Sequence, residues 1–103
     1  MDSKQRIEFD FNLARAQADR LEEIACELAG LSSNKFSGTL QNVSVNWKGE
    51  NATQYINKGS KLQSQMTATA EELKSIADDL RRTSKRIYNA EMAALAIAEA
   101  RTY

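Results

Sequence analysis

Apolar residues recur at alternating spacings of four and three along two long stretches of this chain, and no proline interrupts either. That spacing holds them on one side of an α-helix. The first row is Ile7, Phe11, Ala14, Ala18, Leu21, Ala25 and Leu28. The second is Ala52, Tyr55, Gly59, Leu62, Met66, Thr69, Leu73, Ile76, Leu80, Thr83, Ile87, Ala90, Ala94 and Ile97, with soft positions at Gly59, Thr69 and Thr83. Helices are stabilised chiefly by packing an apolar face, so two such rows predict two arms laid against each other. Three of the four glycines fall between Gly30 and Gly49, which places the reversal near the middle.

The expected fold is all-α, an antiparallel two-helix hairpin in a single domain over 1–103, because half of this length would bury too little core to stand alone. The first arm covers about 3–30, opened by Asp2 or Ser3 with Gln5 completing a capping box. "GLSSN" reads as a helix stop at Gly30 and a fresh cap at Ser33 or Asn34. Phe36, Leu40, Val43 and Trp47 then repeat at helical spacing but out of step with Leu28, which predicts a broken or short helix over about 33–45. The turn falls at 46–49, and the second arm runs over about 50–98. Phe9, Leu13 and Ala16 form a further apolar stripe on the first arm, and two stripes on one helix predict two neighbours.

Composition excludes several functions. Lys plus Arg equals Asp plus Glu at 14 each, which argues against a chain that neutralises nucleic acid or anionic lipid. Arg81, Arg82, Lys85 and Arg86 cluster, but Asp78 lies one turn before them, where intrahelical ion pairs form. With no histidine and one cysteine, Cys26, the usual metal sites and thiol catalysis lack their parts, so no metal or cofactor is expected. The carboxylates are spread along helix faces, without a phosphate loop or a paired nucleophile and base, so the activity expected is binding and not catalysis. Neither a membrane-spanning apolar run nor a cleavable signal peptide is read.

At the midpoint stands "NWKGEN", with the sole tryptophan two positions before a glycine. Gly49 supplies the backbone freedom a tight reversal needs, and Trp47 is expected to lie across the open end of the pair as a clasp. A fully buried indole there would make Trp47→Ala cost about 3–5 kcal/mol. Length, absence of proline, heptads on both sides and the central Trp47-Lys48-Gly49 together resemble the ESAT-6-like, or WXG100, family. That resemblance implies helical hairpins pairing into a four-helix-bundle dimer, as a homodimer or as a heterodimer with a related hairpin or a toxin's N-terminal domain. It also implies export from the bacterial cytoplasm by the type VII (Esx) machinery without a cleavable signal.

On this reading Phe11, Leu21, Leu28, Leu62, Leu73, Ile76 and Leu80 build the interface, and the tail residues Ile87, Tyr88, Glu91, Leu95 and Glu99 face a partner or exporter. The family's secreted members commonly carry an aromatic residue followed four positions later by Asp or Glu. Here Tyr88 is followed by Met92, which points to export with a partner that carries the signal. Residues 90–98, "AEMAALAIA", are apolar nearly all round and suit either a buried helix end or a docking surface. A helper of a larger toxin and a cytoplasmic coiled-coil adaptor share the same heptads; a needle-type hairpin would ordinarily carry a proline turn.

Overall fold

The computed structural model describes residues 2–101, and no strand occurs among them. Helix α1 spans Ser3–Gly30, a π-helical turn spans Leu31–Phe36, α2 spans Ser37–Asn46 and α3 spans Glu50–Ala100. The expected capping box is present: Gln5 N–H donates to Asp2 Oδ1 at 2.7 Å, and Asp2 N–H donates to Gln5 Oε1 at 3.1 Å. Both ends of the first turn are thereby satisfied.

The expected helix stop at Gly30 and new cap at Ser33 or Asn34 do not occur. Gly30, Phe36 and Ser37 all keep right-handed helical angles, and the backbone passes from α1 to α2 without leaving the helix. The phase shows what the continuous helix has to accommodate. After the half-buried Leu28 the inward residues are Ser32, Phe36, Leu40 and Val43, so three spacings of four occur where an α-helical seam would use four, three and four. One extra residue has to be absorbed, and a π turn, with its wider hydrogen-bonded ring, absorbs one. Without it Lys35, Thr39 and Asn42 would face inward in place of Phe36, Leu40 and Val43.

Contacts group the chain into two compact units. One joins α1 as far as Leu21 to α3 from Ser75 onward; the other is Glu22–Lys74. The first is antiparallel, with Phe11 stacked on Tyr88 and Asp19 paired with Arg81. The second is antiparallel too, with Ser32 bonded to Gln63 and Thr67, and Leu40 set against Gly59. A long helix thus packs against a shorter one, the pairing of a helical hairpin.

All seven residues of the first predicted row are buried or half-buried. The second row is turned by one residue at alternate positions. Tyr55, Leu62, Thr69, Ile76, Thr83 and Ile87 are exposed, and the residues that turn inward are Ile56, Gln63, Ala70, Ala77, Ser84 and Tyr88. Ala90, Ala94 and Ile97 are exposed as well, while Met92 and Leu95, expected off the seam, are the half-buried residues of the tail. Small side chains explain the rotation: Ala18, Ala25, Ala70 and Ala77 are at most 2% exposed, and helices packed through small residues approach more closely than helices packed through large ones. At Gly59 a Cβ would run into Leu40 Cδ2, so a larger residue there requires the leucine tip to shift.

The rotated seam has a direct test. Ala77→Leu forces a large side chain into a fully buried position and should lower stability by about 1–3 kcal/mol. Its neighbour Ile76 is 52% exposed, so Ile76→Ala should cost under about 1 kcal/mol when both are measured by urea denaturation on the monomeric chain. The reverse ranking would restore the original seam.

Candidate functional site

Trp47 ends α2 in extended backbone (φ −127, ψ 120), while its N–H still donates to the Val43 carbonyl at 2.9 Å. Gly49 takes φ +114, a region that carries a penalty for residues with a Cβ. Its carbonyl accepts both the N–H and the hydroxyl of Thr53 at 3.1 Å, which starts α3. Gly49 therefore makes the turn. Trp47, in contrast, is not a buried clasp: it is 46% exposed, and its ring leans on Tyr55 with centroids 5.8 Å apart. Extended backbone takes residue 47 out of the helical phase that put Phe36, Leu40 and Val43 inward, so the spacing that promised burial stops one residue early.

Beside the turn, Phe36, Thr39, Leu40, Tyr55, Gly59 and Leu62 line an apolar groove edged by Lys58. Tyr55 and Leu62 are about half exposed there. Of the predicted interface residues, Phe11, Leu21, Leu28, Leu73 and Leu80 are half-buried within the chain, whereas Leu62 and Ile76 are left on its surface. Phe9 and Leu13, the second stripe of the first arm, are exposed as well.

In the other unit, Phe11 and Tyr88 stack with centroids 4.6 Å apart, and the Lys85 ammonium lies 5.5 Å from both rings. Arg15 approaches Phe11 from 5.6 Å. Such cation–π contacts at exposed sites are each worth about 0.5–1 kcal/mol. Tyr88 is thus committed to the helix pair, while Ile87, Glu91 and Glu99 remain exposed. Glu91 and Leu95 share a groove with Asp2, Arg6 and Ile7 at the end of this unit.

In the basic cluster Arg81 pairs with Asp78 at 3.2 Å as expected, whereas Arg82 pairs with Asp79 and not with Asp78. Arg81 also reaches Asp19 at 2.8 Å, tying α3 to α1. Surface pairs of this kind contribute about 0–1 kcal/mol and serve alignment more than stability.

Sequence reading missed the polar cluster under the π turn. Ser32 is 1% exposed; its hydroxyl donates to the Gln63 carbonyl at 3.2 Å and lies 3.0 Å from Thr67 Oγ1. Gln63 Nε2 donates to the Ser32 carbonyl at 2.8 Å and to Ser37 Oγ. Serine at the position four after Leu28 was the available signal, because it continues the seam.

Among the described residues, no group of three His, Cys, Asp or Glu side chains is placed to hold a metal ion, and Cys26 is exposed. No helix among them is long and apolar enough to cross a membrane. What the surface offers chemically is apolar area in helical register, bordered by charge. Comparison with family models, with curated proteins and with solved structures returns no match.

The turn separates its two named residues energetically. Gly49→Ala should cost about 1–3 kcal/mol from backbone strain at positive φ. Trp47→Ala should cost about 2 kcal/mol, roughly half the value for a fully buried indole. Thermal denaturation of both variants checks the pair; a loss at Trp47 near 4 kcal/mol would place the ring in an interface that the single chain does not contain.

Proposed function

We propose that this chain is a small non-enzymatic binding protein that acts by pairing helices, first with a second copy of itself. The observation that carries this reading is the apolar row left exposed on α3. Tyr55 and Leu62 in one unit, and Ile76 and Ile97 in the other, are 48–55% exposed and lie at multiples of seven in sequence. Thr69, Thr83 and Ala90 stand at the positions between them; large apolar side chains left uncovered at heptad spacing are the pattern of a helix that has a further helix to meet. Phe9 and Leu13 add a shorter exposed stripe on α1. The interface would then comprise Leu62 and Ile76, with the half-buried Leu73 and Leu80 at its margin.

The pairing, the turn at Gly49 and the centrally placed Trp-Lys-Gly support assignment to the WXG100 type, and with it a four-helix-bundle dimer exported by a type VII secretion system. Export rests on that resemblance. The tail favours co-export with a related hairpin or a toxin's N-terminal domain, because Tyr88 is engaged with Phe11 and lacks an acidic residue four positions on. Fractionation of producing cells tests this: the chain should reach the medium only when the secretion ATPase is present, and retention inside under both conditions would leave an adaptor role.

Sedimentation equilibrium tests the pairing itself. A dimer of about 23 kDa, twice the 11.5 kDa chain, is expected. Each large apolar group at such an interface contributes about 1.5–3 kcal/mol, so the double variant Leu62→Lys, Ile76→Lys should raise the dissociation constant by about 10²- to 10⁴-fold. Helicity should persist, since both side chains are exposed in the single chain. A wild-type chain that stays monomeric across the whole concentration range would refute self-pairing and direct the row to another protein.

A further inference from the structure

We infer that Gln63 is a positioning residue for the π turn, and that with Ser32 it selects one of two helical registers open to residues 31–46. Two registers are inherent in the sequence. With the extra residue absorbed at Leu31–Phe36, the apolar set Phe36, Leu40 and Val43 faces inward and Leu40 meets Gly59. In an uninterrupted α-helix, Lys35, Thr39 and Asn42 take those places.

The apolar pattern favours the first register but does not by itself produce a π turn. A break in the helix would correct the phase equally well, and π turns are rare because their hydrogen-bond ladder is perturbed. Side chains add to the backbone hydrogen bonds there. In an α-helix the Ser32 carbonyl would accept from the Phe36 N–H; here it is met from α3 by Gln63 Nε2 at 2.8 Å and from within the turn by Ser37 Oγ at 3.4 Å. Gln63 also donates to Ser37 Oγ, so one amide group spans the start and the end of the turn. From the other side, the Ser32 hydroxyl donates to the Gln63 carbonyl and lies beside Thr67 Oγ1. Among the described residues no buried side-chain nitrogen or oxygen lacks a partner. A glutamine at an inward position of a packed helix is costly unless its amide is used, and the π turn is what uses it.

If Gln63 acts through the turn, its importance depends on the extra residue being present. Deleting the exposed Asn34 removes that residue and restores spacings of four, three, four and three through Leu28, Ser32, Phe36, Leu40 and Val43. The shortened chain should fold with an unbroken α-helix and the same inward side chains.

The experiment is a cycle of melting temperatures over the wild type, Gln63→Met, the Asn34 deletion and the combination. In the full-length chain Gln63→Met should lower the melting temperature by about 4–8 °C, the shift for one hydrogen bond of ordinary net value in a chain this size. In the deletion background the same substitution should be neutral or raise it. Equal losses in both backgrounds would overturn the inference and leave Gln63 an ordinary packing residue. Amide hydrogen exchange on full-length Gln63→Met supplies a readout independent of the deletion variant. Faster exchange concentrated in residues 32–37 is expected, and unchanged exchange there would overturn the proposal even if the deleted chain failed to fold.

Discussion

Small side chains at the inward positions govern this structure. Alanine at positions 18, 25, 70 and 77, serine at 32 and 84 and glycine at 59 let the paired helices approach closely. A seam built from such residues buries little apolar area per residue, and the large side chains beside it are displaced to the flank. Tyr55, Leu62 and Ile76 are exposed beside that seam: the packing that satisfies the single chain leaves large apolar side chains on its flank. Internal packing and the exposed apolar flank are two consequences of one choice of residues.

The π turn shows how a phase conflict can be resolved without ending a helix. Phe36, Leu40 and Val43 are one residue late relative to Leu28, and the chain either breaks or widens to bring them inward. Widening perturbs backbone hydrogen bonding, which is tolerated because side chains of α3 and of the turn itself take up the polar groups of Ser32. Polar residues under the turn therefore determine where the apolar residues beyond it point.

Charge has a subordinate role. Arg81 and Arg82 pair with aspartates one turn before them, and Arg81 extends the pairing to Asp19 on α1. Lys85 and Arg15 lie near the Phe11 and Tyr88 rings. These contacts hold Tyr88 against its neighbour, and Ile87, Glu91, Ile97 and Glu99 are what the tail leaves exposed. The apolar row of α3, flanked by solvated charge, is the surface whose chemistry suits another helix.

Much was legible in sequence because it is local. The capping box at Asp2 and Gln5, the reversal at Gly49, the seven inward positions of the first arm and the Asp78–Arg81 ion pair all depend on residues within a turn or two of one another. The all-helical character follows from periodicity and the lack of proline. Tertiary structure decided which of two adjacent rows on α3 turns inward, because periodicity marks the large apolar residues without showing whether they pack within the chain or beyond it. It also decided that Gly30 to Ser37 stays helical, since satisfying Ser32 requires Gln63, thirty-one residues away. Partial exposure of Trp47 has the same origin: spacing continues through residue 47, but the backbone there has already left the helix to make the turn. Helical periodicity is a property of near neighbours, and the choice between competing faces is made by helices that sequence alone does not bring together.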